Sequence, residues 1–258
     1  YRDTQFELPE TVAVTDDYIE GKPMWVKNQR NSWHGIDFFY ASDRKMTDYL
    51  RDYYGALSSV DDSMGRLRAV LEALDLTDDT VIVFYSDNGF LTGDHGLIDK
   101  RNAYEASVKV PMIVYAPKDA KGGSTNKTRI RNLDLAPTFL DIAGIKKPKQ
   151  FEGKSAWPLI TGEQDRESWG EPDFLYQYYW EWSFPMTPTT LAITRDDIKY
   201  IQYHGIWDLE ELYDLALDPE EKVNRINDPE YYFVRQALRT ALYAQAANPE
   251  GCLLYTSD

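Results

Sequence analysis

Asp87 and Asn88 are adjacent residues of this 258-residue chain whose side-chain oxygens could hold a metal or an anionic group. A carboxylate beside an amide oxygen suits a hard divalent cation such as calcium, which takes about six to eight oxygens at roughly 2.3–2.6 Å. Two donors are therefore only part of a site. The triplet Asp87-Asn88-Gly89 also reads as turn chemistry, because Asn and Gly accept positive φ and Asp bonds its own backbone two residues on. Gly93-Asp94-His95-Gly96 forms a second small polar loop, and Lys100 stands four residues before Tyr104-Glu105. Lys100 is either a solvated surface charge or a fixed cation for an anionic group. His95 and the later His204 are either satisfied structural histidines or ligand contacts.

The elements that must position these residues are legible in the pattern. Val81 to Tyr85 is a short β-branched and aromatic run with no polar break, the pattern of a strand buried on both faces inside an α/β sheet. Ligands in open α/β sheets sit beyond the carboxyl ends of the strands, where Ser86-Asp87-Asn88-Gly89 begins. Upstream, Leu50, Tyr53, Leu57, Val60, Met64, Leu67, Leu71 and Leu74 recur three and four apart, which predicts one long amphipathic helix from Asp48. Asp61 and Asp62 lie within it, but neighbouring helical residues diverge by about 100°, so they read as a solvated face. Val110-Pro111-Met112-Ile113-Val114 re-enters the core, and a polar loop follows at Lys118 to Lys127. Asn132 to Pro137 opens a short helix with Asp134 as its cap, Pro137 in its first turn and Gly144 as its stop.

Tyr1 to Asp43 shows no sustained periodicity and reads as an irregular segment on the surface of a core. Beyond Leu159 the character changes: Phe174 to Trp180, Thr190 to Thr194 and Ile198 to Tyr203 are short aromatic or β-branched runs separated by turn signals, as in an antiparallel sheet. Pro229 to Ala247 is a final helix. The expected fold class is α/β, with residues 1–160 forming a sheet flanked by helices and residues 161–248 a small antiparallel subdomain closed by a C-terminal helix. That subdomain gathers Tyr178, Trp180, Glu181, Trp182, His204 and Trp207, which suit either a sugar ring or a core.

A formal charge of −15 and the lack of Lys/Arg clusters argue against a nucleic-acid partner. No apolar run approaches the roughly 20 residues needed to span a bilayer. Cys252 is the only cysteine, which excludes an intrachain disulfide. It lies in a tail, residues 249–258, that reads as foreign sequence. The first residue is Tyr and no basic-apolar leader precedes it, so the chain reads as part of something longer.

The stretch from Thr80 to Pro117 resembles the sulfatase family of the alkaline phosphatase superfamily. Members carry a strand ending in Ser-Asp-Asn-Gly, a Gly-Glu-His-Gly-like loop, a lysine four residues before Tyr-Glu, and a Val-Pro-hydrophobic strand. The same order is kept here as Ser86-Asp87-Asn88-Gly89, Gly93-Asp94-His95-Gly96, Lys100, Tyr104-Glu105 and Val110-Pro111. Also similar are the helix segments Tyr53-Tyr54-Gly55, Val60-Asp61-Asp62 and Gly65-Arg66-Leu67, the segment Asp134-Leu135-Ala136-Pro137 with Ala143-Gly144-Ile145, and Leu212-Tyr213-Asp214-Leu215 with Asp218-Pro219-Glu220 and Asn224.

The resemblance implies an alkaline-phosphatase-like sheet, calcium held in part by Asp87 and Asn88, and Lys100 as the sulfate-binding lysine. It leaves His95 as a substrate or supporting contact, with His204 a further candidate. The implied substrate is a sulfated small molecule or glycan, because Asp99-Lys100-Arg101 and Tyr203 to Asp208 look most like bacterial glycan sulfatases. Family members attack with formylglycine made from Cys or Ser in a Cys/Ser-x-Pro-Ser/Ala-Arg motif, and no such motif occurs here. Cys252 lacks the following Pro and Arg, and Ser183-Phe184-Pro185-Met186 lacks the last two positions. The nucleophile is therefore expected upstream of Tyr1, so that these residues alone are expected to be inactive and to bind metal poorly. Family members are commonly exported, which implies a periplasmic or secreted protein. A phosphodiesterase or phosphonate monoester hydrolase of the same superfamily is the rival enzyme, and a non-catalytic glycan-binding fragment the rival of another class.

Overall fold

The computed structural model describes residues 1, 3–12, 21–39, 45–205 and 210–247. The helices in chain order are α1 (Met24–Gln29), α2 (Ile36–Phe39), α3 (Met46–Ala73), α4 (Glu105–Val108), α5 (Asn132–Ile142), α6 (Trp157–Thr161), α7 (Arg166–Trp169) and α8 (Tyr232–Ala246). The strands are β1 (Ile82–Phe84), β2 (Leu91–Thr92), β3 (Ile98–Asp99), β4 (Ile113–Tyr115), β5 (Phe174–Tyr178), β6 (Thr189–Arg195), β7 (Ile198–His204) and β8 (Glu210–Asp214). The tail with Cys252 and the tryptophan at 207 lie outside the described residues.

The chain divides into two compact units, one of residues 1–54, 88–109 and 173–258, the other of residues 55–87 and 110–172. In the first, β5-β6-β7-β8 form an antiparallel sheet in simple sequence order. Strand alternation gives it two apolar faces. Ile193, Tyr200 and Leu212 pack against Leu238 and Leu242 of α8. Ala192, Ile201, Tyr203 and Tyr213 face the other way and meet Trp25 and Val26 of α1, Leu91, Leu97 and Tyr104. The antiparallel sheet with its closing helix matches the expectation. The N-terminal segment does not lie only on the surface: Val26 is fully buried and Trp25 is 4.9 Å, centroid to centroid, from Tyr203. Helix α1 is six residues long, too short to show a helical period in sequence.

In the second unit β1 pairs antiparallel with β4, Val83 opposite Val114. All three residues of β1 are half-buried, where burial on both faces was expected. Among the described residues the pair is a two-stranded ribbon, which has too few neighbours to cover both faces. Helix α3 spans 28 residues as its period predicts, yet Leu57, Val60, Leu67 and Leu74 on its stripe are exposed and only Met46 and Leu50 are buried. The stripe is written for an apolar partner that the described residues do not provide.

Helix α5 begins earlier than expected. Arg131 is its N-cap, and Asp134 sits three residues in, accepting the Arg131 backbone N–H at 2.9 Å and that of Lys154 at 2.8 Å. Pro137 therefore lies beyond the first turn and leaves the Leu133 carbonyl without its i+4 donor. The backbone of Gly153 presses on that carbonyl, where a Cβ would stand 1.8 Å away. Gly144 stops the helix as expected, at φ +67° with its N–H donated to Asp141.

Candidate active site

Strand β1 delivers Ser86-Asp87 at its carboxyl end, with the Asp87 carbonyl accepting the Asn132 side-chain amide at 2.8 Å. Neither Asn88 nor Gly89 takes the left-handed backbone that the turn reading needed. Gly89 serves close approach instead. Its N–H donates to the Ser107 carbonyl at 2.8 Å, and a Cβ there would stand 2.2 Å from the Ala106 carbonyl oxygen. Asn88 is thus pressed against the turn that opens α4. From that turn the Ser107 hydroxyl reaches back to the Lys100 carbonyl at 2.7 Å, and Lys100 Nζ donates to Asn88 Oδ1 at 3.2 Å. Two of the expected site residues are brought together in this way.

The loop between β2 and β3 carries His95 inward. Gly93, His95 and Gly96 all take positive φ, at +114°, +56° and +72°. Glycine tolerates this freely, whereas a histidine there costs about 1–2 kcal/mol and persists only where its surroundings over-determine it. The His95 N–H donates to Thr11 Oγ1 at 3.0 Å, and the ring packs 4.1 Å from that of Tyr104. His95 is 2 % exposed. Burial, with the Lys22 and Lys199 ammoniums, holds its pKa well below that of an ordinary histidine, so the ring is neutral at physiological pH. It lies inside the unit, away from where a ligand in solvent would meet it.

His204 ends β7 opposite Thr189 and is exposed. Thr189 Oγ1 also accepts the Trp180 N–H at 2.9 Å, which sets the aromatic loop at the same end of the sheet. Trp180 and Trp182 meet edge to face at 6.4 Å and are 49 % and 85 % exposed. Asp61 and Asp62 are exposed on α3.

Sequence reasoning missed an ionic hub beside Lys100. Asp99, at φ +95°, receives Arg101, and His34 Nδ1 lies 2.7 Å from its Oδ2. Burial pushes the Asp99 carboxyl up, but His34 and Arg101 outweigh it and hold it below the usual carboxylate range. The Arg101 guanidinium stacks 3.4 Å over the Phe184 ring. The one available signal was the acidic Asp99 followed at once by the two cations Lys100 and Arg101, since His34 sits in a stretch without period.

Asp87 and Asn88 offer hard oxygen donors, the right chemistry for calcium or another divalent cation. They would supply two of the six to eight oxygens such an ion takes, and among the described residues no group of three or more His, Cys, Asp or Glu is placed to hold a metal. The donor set fits as a part of a shell.

Two family models match the chain: Sulfatase over residues 8–145, and N-sulphoglucosamine sulphohydrolase, C-terminal, over residues 93–248. An N-acetylglucosamine-6-O-sulfatase of Bacteroides thetaiotaomicron is 36 % identical over 72 % of this chain and 34 % of its own length. An arylsulfatase of Clostridium perfringens is 32 % identical over 69 % of this chain and 36 % of its own. A structure solved with its substrate D-glucosamine-2-N,6-O-disulfate superposes with a TM-score of 0.75 and 31 % identity, covering 87 % of this chain and 46 % of that one. The chain therefore spans about a third of these curated relatives and under half of the solved structure. Two overlapping models that each match more than half of its residues, with solved relatives of the same fold, place this chain in the sulfatase family.

Proposed function

We propose that the whole protein hydrolyses sulfate esters on a carbohydrate, and that residues 1–258 contribute part of its metal site, the sulfate-binding cation and a sugar-facing surface. The observation that carries this reading is the 3.2 Å approach of Lys100 Nζ to Asn88 Oδ1. A fixed ammonium beside a ligand oxygen of a divalent cation gives an anionic sulfuryl group two positive partners at one point, and such preorganised charge is usually the largest catalytic term.

In this proposal Asp87 and Asn88 hold calcium together with oxygens from elsewhere, and calcium would supply Lewis acidity toward the sulfuryl oxygens. Lys100 binds the sulfate and stabilises charge on the leaving oxygen. His204 and the exposed Trp180 and Trp182 contact the sugar. His95 acts from beneath, as a neutral ring supporting Tyr104. The nucleophile is the family's formylglycine, whose motif is not among these 258 residues. Among the described residues no helix is long and apolar enough to cross a membrane. Export to the periplasm or medium belongs to the same proposal.

The test is to offer the full-length gene product glucosamine 6-sulfate, an aryl sulfate and an aryl phosphate diester. Calcium-dependent release of inorganic sulfate, with the diester turned over far more slowly, supports the reading. Preference for the diester contradicts it.

A further inference from the structure

Asn88 and Lys100 are held from behind by an ion pair that the catalytic proposal does not use. Lys199 points from β7 into the first unit and is 1 % exposed. Its Nζ donates to the Ala103 carbonyl at 2.8 Å and lies 2.7 Å from Glu105 Oε1 and 2.8 Å from Glu221 Oε1. Glu221, equally buried, accepts the Glu105 backbone N–H at 2.6 Å, and its own carbonyl accepts Lys22 Nζ at 2.8 Å. The turn that these groups grip, Ala103 to Ser107, is the one that bonds the Lys100 carbonyl through Ser107 Oγ and the Gly89 N–H through the Ser107 carbonyl.

We propose that the buried Lys199–Glu221 pair is a positioning device that fixes the α4 turn, and through it the separation of Lys100 from Asn88. The inference rests on the reading of those two residues as sulfate-binding and metal-binding groups. Two features speak against a purely stabilising role. A buried ion pair is commonly less stable than apolar residues of the same size, because its desolvation is incompletely repaid. Glu221 also takes a left-handed backbone at φ +54°, a conformation that persists in a non-glycine residue only where its surroundings over-determine it. Both costs fall at one point, and that point is bonded to the segment bearing Lys100. Burial alone would strip the charge from Lys199, but Glu221 and Glu105 keep its pKa above that of an ordinary lysine, while burial pushes the Glu221 carboxyl up.

The test uses the chain itself, with Lys199→Met, Glu221→Met and the double variant, read by urea unfolding and by hydrogen exchange at two amides. Gly89 reports the gripped turn, and Leu242 of α8 reports the stability of the same unit. In the double variant the unfolding midpoint is expected to return toward that of the parent, while exchange at Gly89 is at least tenfold faster and exchange at Leu242 is unchanged. Parallel changes at both amides, or none at Gly89, would overturn the proposal. If the double variant does not fold, Lys199→Arg and Glu221→Gln are read by the same ratio. In the full-length gene product the double variant should also lower kcat for an aryl sulfate at least tenfold. An inert parent would contradict the sulfatase reading, whereas the exchange ratio judges the positioning role separately.

Discussion

The ammonium of Lys100 lies 3.2 Å from the side-chain oxygen of Asn88, although twelve positions separate the two in the chain. What closes that gap is Gly89 pressed on the α4 turn, with Ser107 bonded to both sides, through its carbonyl to the Gly89 N–H and through its hydroxyl to the Lys100 carbonyl.

Gly89→Ala should therefore be costly. A Cβ at 2.2 Å from the Ala106 carbonyl oxygen meets backbone that has no flexible end to swing away. The expected loss is about 2–4 kcal/mol, in the range of severe single substitutions. Urea unfolding of the chain measures it, and a loss below about 0.5 kcal/mol would show that the turn yields.

His95 makes stability depend on pH. Its folded pKa lies well below the ordinary 6.5, so in mildly acid solution the unfolded chain binds a proton that the folded chain refuses. Its contribution is thus complete above the unfolded pKa and is lost as pH falls from there toward the folded value. The slope is at most about 1.4 kcal/mol per pH unit for one proton. His95→Asn, which keeps a residue tolerant of left-handed backbone, should flatten the fall in Tm between neutral pH and pH 5. An unchanged slope in the variant would assign the acid sensitivity to other groups.

The two ends of helix α3 should respond differently. Leu50 is 4 % exposed, and Leu50→Ala is expected to cost about 2–5 kcal/mol, as for other buried leucines. Leu67 is 46 % exposed, and Leu67→Gln should fall within about 0.5 kcal/mol in this chain. Thermal unfolding of the two variants distinguishes them, and a large loss at Leu67 would mean that its stripe is covered in solution.

Calcium affinity of the chain should be weak, because in the proposed site Asp87 and Asn88 would supply two ligands of a larger shell. Titration followed at the Asn88 and Gly89 amides should half-saturate at about millimolar calcium or above. Micromolar binding would mean that residues 1–258 complete the site.

Much of this was legible in the sequence for physical reasons. The three- and four-residue spacing from Leu50 to Leu74 does make one helix, and the aromatic and β-branched runs after Phe174 do make an antiparallel sheet. Gly144 ends α5 because a left-handed residue must follow the last turn there. The burial of those elements was less legible. Period fixes which residues share a face, not whether a partner covers it, so it could not show that the stripe of α3 is exposed, and β1, expected to be buried on both faces, is half-buried. Motif order singled out Asn88 and Lys100 as candidates, but not the groups that hold them. Lys199 lies in Ile198-Lys199-Tyr200-Ile201, where strand alternation puts it on the same face as Ile201 and Tyr203. A lysine at an inward position was the available sign of a buried charge. Its partner Glu221 stands in a turn with no pattern, and only the folded chain brings the two together.

Kinetics of Lys100→Ala in the full-length gene product test the central claim most directly. Lys100 is exposed, so the variant should unfold like the parent. Its kcat for sulfate release from an aryl sulfate is expected to fall about 10²–10³-fold, the usual loss when one preorganised donor to developing charge is removed. Undiminished sulfate release by a folded Lys100→Ala protein would contradict the assignment of Lys100 and Asn88 as the point where sulfate is held.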